Sequence, residues 1–354
     1  MRRAENLWER ANMSTGNHGF MILAIETSCD DTSVAVVNSD YQVLANLTST
    51  QDIHQQFGGV VPELASRMHI KYLMSLTKDC LEKAGVTFAE IDALAVAVNP
   101  GLIGSLLVGT SFAKSLAYSL NKPLIAVNHM LGHVYANKIT HPHLIPPFLA
   151  LVVSGGHTEL VNFLSAKDFK IIGRTQDDAA GEAFDKVAKL LGLGYPGGPI
   201  IDKISRDGNP EFVEFPRAMK QKDNYDFSFS GLKTAILNYL NSNSQEFITK
   251  HRNDIAASVQ QAIIEPLVTK TIRFARKNNI RYIVMAGGVS ANSLLRKMMQ
   301  EETAKISAKL FYPPLSYCMD NAAMIGAAAV EKFLHKEFAG LDLNPFPTKG
   351  LRLV

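Results

Sequence analysis

Two histidines and an aspartate have side chains and a spacing that suit a metal ion. His129 and His133 lie four residues apart in the segment His-Met-Leu-Gly-His. If that segment is helical, both imidazoles lie on one face and are close enough to share a metal. A third ligand is available in Asp320, just before a second small-residue helix predicted over residues 322–330. Two imidazoles and one carboxylate leave open coordination positions, which suits a catalytic Fe(II) or Zn(II) ion.

The histidine pair by itself leaves other interpretations open. Pairs at this spacing are common in helices that bind nothing, so two unrelated histidines are the alternative. The segment is also not the HExxH motif of zinc proteases, because position 130 is Met and the general-base glutamate is missing. A metalloprotease would therefore rest on the two histidines alone.

Three glycine-rich segments allow backbone N–H groups to approach a phosphate or a sugar closely. Most Gly-Gly pairs are plain turns, but three in one chain, two of them directly after predicted strands, favour a nucleotide or acyl-adenylate site. The sequence contains no GxxxxGKS/T or GxGxxG motif, so it supports neither a P-loop NTPase nor an NAD-binding fold. The segments are Ser154-Gly155-Gly156, Tyr195–Gly198 and Ala286–Asn292.

Carboxylates form a third group of candidates. Asp30 and Asp31 lie at the turn after the first predicted strand. Asp185 and Asp202 flank the Pro-Gly-Gly turn, where they can hold hydroxyl groups of a ribose or a small substrate. The pair Asp177-Asp178 is better explained as caps of turns and helices.

Composition indicates an ordered globular protein and excludes several classes. The 354 residues suggest about two domains. Lys and Arg number 36 against 33 Asp and Glu, and a net charge of +3 is too balanced to indicate a nucleic-acid partner by itself. No apolar run reaches the roughly 18 residues of a membrane-spanning helix. Three scattered cysteines without a CxxC pair favour a cytoplasmic chain without disulfides.

The candidate residues are positioned by alternating strands and helices, which predict an α/β fold. Three short strands are expected within residues 21–50, followed by a helix at 62–83, a strand at 93–98 and a helix at 105–120. A second three-strand set begins with Phe148–Val153. Each set contains a turn of small residues after its first strand. This repetition predicts two similar lobes that face a nucleotide cleft, with two ordinary hairpins as the alternative.

Taken together, these segments resemble one family, the tRNA threonylcarbamoyl-adenosine transferases (TsaD), formerly called O-sialoglycoprotein endopeptidases. The matching motifs follow the family's order over nearly all of residues 21–330. One departure is that Asp31 stands where the family usually has Glu, which shortens that side chain by one methylene. The motifs are IETSCDDTSVAVV (25–37), QQFGGVVPELASRMH (55–69), NPGLIGSLLVG (99–109), NHMLGHVYA (128–136), LVVSGGHTEL (151–160), DDAAGEAFDKVAKLLGLGYPGGPIID (177–202), DFSFSGLKTA (226–235), MAGGVSAN (285–292) and CMDNAAMIG (318–326).

The resemblance implies an actin-like (ASKHA, sugar-kinase-type) fold of two similar lobes around a cleft. Residues 1–20 are then an N-terminal extension that we expect to be disordered. Residues 21–128 form the first lobe, completed by the C-terminal helix 322–354, and residues 129–321 form the second lobe.

The resemblance also implies the reaction and its site. The threonylcarbamoyl group moves from its adenylate to N6 of adenosine 37 in tRNAs that read codons starting with A, and AMP is released. The family's metal ligands correspond to His129, His133 and Asp320, which would hold one divalent ion, Fe2+ or Zn2+. Its adenylate contacts correspond to Val152, Val153, Ser154, Gly155, Gly156, Asp185, Gly198, Asp202 and Asn292.

A mechanism follows as a hypothesis. The metal acts as a Lewis acid and template for donor oxygens. Backbone N–H groups of Ser154–Gly156 stabilise the phosphate or the developing oxyanion. Asp31, or else Asp30, accepts or orients the proton of the adenine amine.

The resemblance further implies partners: tRNA, threonylcarbamoyl-AMP, a TsaB-like paralogue bound through helices of the first lobe, and a TsaE-like ATPase. No membrane contact is expected. Other hypotheses are an ATP-dependent kinase or ATPase on the same fold, and an inactive partner protein, which should lack the paired histidines and Asp320. Basic residues are candidates for tRNA phosphates, although solvated helix faces are the simpler explanation. They are Lys270, Arg273, Arg276, Lys277, Arg281, Arg217, Lys220 and Lys222.

Overall fold

The chain folds into two compact units, as seen in a computed structural model that describes residues 19–57, 59–219, 221–346 and 350–351. The first unit comprises Met1–Leu144 and Met319–Val354, and the second comprises Ile145–Cys318. The disorder expected for residues 1–20 concerns residues outside the described ones, apart from Gly19 and Phe20. Phe20 is packed, because its ring stacks on Phe333 with centroids 4.2 Å apart.

The boundary between the units differs from the prediction. The first unit continues past residue 128 and ends at Leu144. The reason is that the helix beginning at His129 packs against the C-terminal helix of the same unit. Gly132 makes this approach possible, since a Cβ at that position would lie 2.9 Å from Ile325 Cδ1.

The first unit contains a five-stranded mixed sheet in the order β3-β2-β1-β4-β5. The strands β1, β2 and β3 form an antiparallel meander, and β4 and β5 run parallel to β1. β4 is buried over its full length, as expected for a sheet that is covered on both faces. The strands are β1 (Met21–Glu26), β2 (Asp31–Asn38), β3 (Val43–Thr50), β4 (Ala93–Asn99) and β5 (Leu124–Asn128).

The second unit repeats this arrangement. Its sheet has the order β8-β7-β6-β9-β10, with an antiparallel meander followed by two strands parallel to β6. The predicted duplication of the three-strand set is therefore confirmed. The strands are β6 (Phe148–Val153), β7 (Thr158–Phe163), β8 (Phe169–Arg174), β9 (Tyr282–Ala286) and β10 (Lys309–Phe311).

Helices cover both sheets. Among the described residues, none of them is long and apolar enough to cross a lipid bilayer. The first unit contains α1 (Pro62–Ala84), α2 (Ile103–Leu120), α3 (His129–Tyr135) and α10 (Ala322–Leu334). The second contains α4 (Ala180–Leu190), α5 (Gly197–Ile204), α6 (Ser230–Asn241), α7 (Gln245–Lys250), α8 (Arg252–Lys277) and α9 (Ser293–Lys305).

The small-residue helix α2 fixes the segment that follows β1. Gly109 lies against Thr27, where a Cβ would come within 2.2 Å of Thr27 Oγ1. The Thr27 hydroxyl donates to the carbonyl of Ser105 at 2.9 Å. Just before α2, the backbone N–H of Leu102 donates to the carbonyl of Ser28 at 2.8 Å. Helix α2 thus anchors the turn between β1 and β2.

Candidate functional site

The first candidate site is the cluster of His129, His133 and Asp320. The histidines lie on α3, and Asp320 precedes α10. Asp320 Oδ1 lies 3.4 Å from His129 Nε2 and 3.2 Å from His133 Nε2. One potential ligand atom from each residue lies within 4.8 Å of the other two. We expected these residues in the second lobe (129–321), but the structure places all three in the first unit.

The donor set of this cluster fits a transition-metal cation. Both ring nitrogens of His133 are buried; Nε2 faces Asp320 Oδ1 at 3.2 Å, and Nδ1 has no hydrogen-bond partner among the described residues. Two imidazoles that converge on one carboxylate oxygen are ligands typical of Fe(II) or Zn(II). Asn128 fixes the start of α3, because its side-chain oxygen accepts the N–H of Leu131 at 3.0 Å. The cluster is therefore a candidate metal site.

The charges in the cluster depend on one another. Burial opposes a charge on His129, but the carboxylates of Glu26 and Asp320 outweigh burial and hold the pKa of His129 well above its ordinary value. Burial lowers the pKa of His133. Burial also opposes the charge of Asp320, yet the two imidazoles hold the pKa of this carboxyl well below its usual range. Asp320 is thus an ionised carboxylate, the form that binds a cation.

Glu26, at the end of β1, is a site residue that the sequence reasoning missed. It is 1% exposed. Its Oε2 accepts from His129 Nδ1 at 3.0 Å, and its Oε1 accepts from the backbone N–H of Ser28 at 2.5 Å. A carboxylate on Nδ1 leaves Nε2 facing Asp320. The sequence feature that could have indicated it is a glutamate at the end of an apolar strand, because a buried carboxylate needs a polar partner.

Asp31, the candidate base, begins β2 and is half-buried. Its Oδ1 is buried and has no hydrogen-bond partner among the described residues, while the Thr50 side chain hydrogen-bonds to the carboxyl group. Burial, supported by the neighbouring carboxylates and opposed by the Thr50 bond, raises the pKa of Asp31 to about 7. A carboxyl group with a pKa near neutrality is well placed to accept a proton at physiological pH.

In the second unit, the turn between β6 and β7 is exposed and contains no carboxylate, unlike the turn that carries Asp31. The backbone N–H of Ser154 donates to the carbonyl of His157 at 2.8 Å, which closes the turn. Val152 and Val153 are buried strand residues. Gly155 and Gly156 are exposed, and a Cβ at either would have nothing within 4 Å. The turn therefore presents backbone without side chains.

The other predicted adenylate residues lie in the second unit, where each makes bonds of its own. Asp185 Oδ1 accepts the N–H of Gly197 at 2.7 Å, and the N–H of Gly198 also donates to this side chain, so Asp185 caps α5. Burial raises the pKa of Asp185 against these two bonds. Asp202 Oδ1 accepts from the hydroxyl of Ser293 at 2.7 Å and so ties α5 to α9.

Asn292 has a structural function of its own. Its side-chain oxygen caps α9 by accepting the N–H of Leu295 at 3.0 Å, and its side-chain nitrogen donates to Gln260 at 3.2 Å. Asp202 and Asn292 thus make bonds that hold elements together, which sequence patterns did not indicate. The cap predicted for Asp177 is present, since this carboxylate accepts the backbone N–H groups of Phe229 and Ser230 at the start of α6, at 2.7 and 3.2 Å.

Some of the basic residues considered as tRNA contacts are bonded to other protein groups, and others are exposed to solvent. Lys270 is 4% exposed and donates to the carbonyl of Asp226, and burial lowers its pKa to about 8. Arg273 donates to the carbonyl of Asn224 at 2.6 Å. Both side chains hold the loop before α6, and the burial of Lys270 contradicts its candidacy for a tRNA phosphate.

Among the remaining basic candidates, Arg217 is paired with Glu265 at 2.9 Å. Lys277 is exposed and paired with Asp223 at 3.1 Å. Three further candidates, Arg276, Arg281 and Lys222, are exposed. Lys220 lies outside the described residues.

The chain is similar in sequence to one protein family. The profile of the family described as "TsaD: tRNA N6-adenosine threonylcarbamoyltransferase" matches residues 42–327. A tRNA N6-adenosine threonylcarbamoyltransferase of Moorella thermoacetica is 50% identical over 327 residues, which cover 92% of this chain and 96% of the relative. The protein of the same name from Clostridium perfringens is 51% identical over 334 residues, which cover 94% and 98%.

Solved structures with low sequence identity share the fold. HypF of T. kodakarensis has a TM-score of 0.61 at 14% identity, covering 90% of this chain and 48% of that protein. Component A of (R)-2-hydroxyglutaryl-CoA dehydratase from Acidaminococcus fermentans has a TM-score of 0.52 at 12% identity, covering 88% and 98%. These similarities confirm the predicted actin-like α/β fold class.

Proposed function

Because the chain belongs to the tRNA N6-adenosine threonylcarbamoyltransferase family, we propose that it forms the threonylcarbamoyl adenosine at position 37 of tRNAs that read codons starting with A. The threonylcarbamoyl group moves from threonylcarbamoyl-AMP to N6 of adenosine 37, and AMP leaves. The observation that carries this function is the 50% identity, over 92% of the chain, to a relative of that name.

His129, His133 and Asp320 are proposed to hold one divalent ion, Fe2+ with Zn2+ as the alternative. When bound, such an ion polarises donor oxygens as a Lewis acid. Support comes from the convergence of the two Nε2 atoms on Asp320 Oδ1, at 3.4 and 3.2 Å. Glu26 holds the outer nitrogen of His129 and keeps that ring oriented.

Asp31 is proposed as the group that receives the proton, with Asp30 as the alternative. The acceptor amine is a weak nucleophile, because its lone pair is delocalised into the adenine ring. As the amine nitrogen bonds to the carbamoyl carbon, the bond from that carbon to the phosphate oxygen breaks. AMP takes the electron pair of the broken bond, and the Asp31 carboxylate takes the amine proton. The pKa of about 7 supports this function, since a useful fraction of the group is ionised at neutral pH.

Residues of the second unit are proposed to bind the adenylate. Gly155 and Gly156 are exposed and carry no side chain, so a phosphate can approach their backbone closely. Asp185, which accepts the N–H groups of Gly197 and Gly198, is proposed to hold a hydroxyl group of the ribose. The remaining residues of the set are proposed to line the adenylate site: Val152, Val153, Ser154, Gly198, Asp202 and Asn292.

We also propose the setting in which the enzyme works. Its macromolecular substrate is tRNA, and its partners are a TsaB-like paralogue and a TsaE-like ATPase in the cytoplasm. The exposed side chains of Arg276 and Arg281 are proposed to contact tRNA phosphates.

A reconstituted reaction tests the proposed function. The purified chain, loaded with Fe2+ and mixed with its partners, is given threonylcarbamoyl-AMP and unmodified tRNA, and the digested tRNA is analysed by mass spectrometry. The expected result is threonylcarbamoyl adenosine and AMP in equal amounts. A tRNA with guanosine at position 37 is the matched control. Absence of product from the adenosine-37 substrate, with all partners present, would contradict the proposal.

A further inference from the structure

A buried histidine on a neighbouring helix hydrogen-bonds to both ends of the turn that carries Asp30 and Asp31. His69 lies on α1 and is 0% exposed. Its Nε2 lies 2.9 Å from the carbonyl oxygen of Cys29, and its Nδ1 lies 2.7 Å from the hydroxyl oxygen of Thr32. One imidazole therefore bridges the two residues that flank the pair of carboxylates.

The partners determine the state of the ring. A carbonyl oxygen only accepts, so Nε2 carries the proton and donates to Cys29. In the neutral ring Nδ1 then accepts from the hydroxyl of Thr32, which is itself 0% exposed. Burial lowers the pKa of His69, which favours this neutral form.

A second layer of buried side chains supports the imidazole. The side-chain nitrogen of Gln51 lies 3.5 Å from His69 Nδ1 and donates to the carbonyl of Ala65 at 3.3 Å. The side-chain oxygen of Gln51 lies 2.9 Å from Nε2 of His54. Gln51 and His54 are 4% and 1% exposed. The contacts run from residues 51–54, which follow β3, through α1 to the turn, so the position of His69 is well determined.

Asp31 depends on such a support. Its Oδ1 has no hydrogen-bond partner among the described residues, and its carboxyl group is hydrogen-bonded by the side chain of Thr50 on the neighbouring strand. One such bond leaves the carboxyl plane free to turn, so the backbone on either side must set its direction. Catalysis is sensitive to such placement, because an error of about 1 Å can cost about 100-fold in rate.

We propose that His69 is a positioning residue, which clamps Cys29 and Thr32 so that the Asp31 carboxylate between them is held in its reactive orientation. This inference rests on the proposed function, because it takes Asp31 to be the group that receives the proton. His69 itself contacts neither of the carboxylates through the bonds described above.

Three variants test the clamp. His69→Leu removes both bonds, His69→Gln keeps an amide donor and acceptor, and Thr77→Val is the control. Thr77 lies on the same helix, is 0% exposed and donates to the carbonyl of Leu73, away from the turn. Each variant is measured for kcat and KM, for metal affinity, and for hydrogen exchange of the backbone amides from Cys29 to Thr32.

For His69→Leu, kcat per folded molecule should fall by about 10- to 100-fold, while donor KM and metal affinity stay within about twofold. Its turn amides should exchange at least about tenfold faster, which corresponds to about 1.4 kcal/mol of lost protection. His69→Gln should restore part of kcat, and Thr77→Val should match the wild type in kcat and in turn exchange.

Two results would overturn the proposal: an unchanged kcat in folded His69→Leu, or equal losses in Thr77→Val. If His69→Leu does not fold, Thr32→Val removes one of the two bonds with little change in shape and must lower kcat by itself. An inactive wild type would contradict the proposed function instead, and the exchange rates would still report whether His69 holds the turn.

Discussion

The two units share one sheet topology but differ in the turn between their first two strands. In the first unit the last paired residues of β1 and β2 are Glu26 and Ser33, so residues 27–32 form the connection. In the second unit Val153 pairs with Thr158, and residues 154–157 suffice. The longer connection brings Asp31 and Thr32 into pairing with β3.

The two turns also differ in the chemical groups that they carry. The turn of the first unit is enclosed by Glu26 on one side and His69 on the other, and it holds carboxylates in a buried setting. The turn of the second unit exposes Gly155 and Gly156, so it presents backbone and contains no carboxylate. Topology alone therefore does not determine function, since the same meander supports both turns and the residues within them decide the chemistry.

The largest expected effect is loss of the metal site from the first unit. His133→Ala should abolish metal binding and lower the transfer rate by about 1,000-fold or more, because the ligand set loses one of its two imidazoles. Metal content by mass spectrometry and a tRNA modification assay measure the two effects. His143→Ala is the control, since His143 is exposed in the same unit. Retained metal with full activity in His133→Ala would refute the ligand assignment.

A nearly equal loss is expected when the carboxylate is removed from the longer turn. Asp31→Asn should lower kcat by about 100- to 10,000-fold, the range of general-base catalysis, while donor binding is preserved. In the wild type, kcat should increase with pH up to about 7, where the Asp31 carboxyl loses its proton. Rate measurements from pH 5 to 9 and donor titrations check both statements. Loss of donor affinity in Asp31→Asn would make Asp31 a binding residue instead.

The same substitution should affect stability with a defined sign. The pKa of Asp31 is raised in the folded protein from 3.8 to about 7. The protonated form therefore stabilises the fold below about pH 4, and this stability is lost as the pH rises towards 7. Metal-free Asp31→Asn should be more stable than the wild type at pH 8, by up to about 4 kcal/mol, and the difference should shrink towards pH 4. Chemical denaturation at several pH values measures it, and a difference independent of pH would contradict it.

Replacing Glu26 is expected to weaken metal binding. Glu26 ends β1, whereas the matching strand of the second unit, β6, ends with the apolar Val153. Glu26→Gln should reduce metal affinity by about 10- to 100-fold, because the amide no longer offers a charged acceptor to His129 Nδ1. Competition with a metal chelator measures the affinity. The exposed Glu63 gives a control, Glu63→Gln, which should bind metal like the wild type. Equal affinities in the two variants would exclude this function for Glu26.

These comparisons also show what the sequence could reveal. Alternating strands and helices predicted both meanders, and the spacing of His129 and His133 predicted a shared face on α3, because such patterns are local. The pairing of Glu26 with His129 and of His69 with Cys29 was not predicted, since it joins residues 103 and 40 positions apart. Lys270 was misjudged for a related reason, because the helix face it occupies is covered by a distant loop.

The smallest expected effect concerns the shorter turn, between β6 and β7. It shows whether the glycines of this turn are needed for folding or for binding a ligand. Neither Gly155 nor Gly156 has a positive φ, and a Cβ at Gly156 meets no atom within 4 Å. Gly156→Ala should therefore leave the free energy of unfolding within about 0.5 kcal/mol of the wild type. Donor KM should increase by about 3- to 10-fold, because the methyl group obstructs approach to the backbone N–H. The contrast is Gly181→Ala, whose Cβ would lie 2.6 Å from the carbonyl oxygen of Ser154 and should destabilise the fold. An unchanged donor KM in Gly156→Ala would mean that this turn does not bind the donor, and the functional difference between the two turns would then rest on the first unit alone.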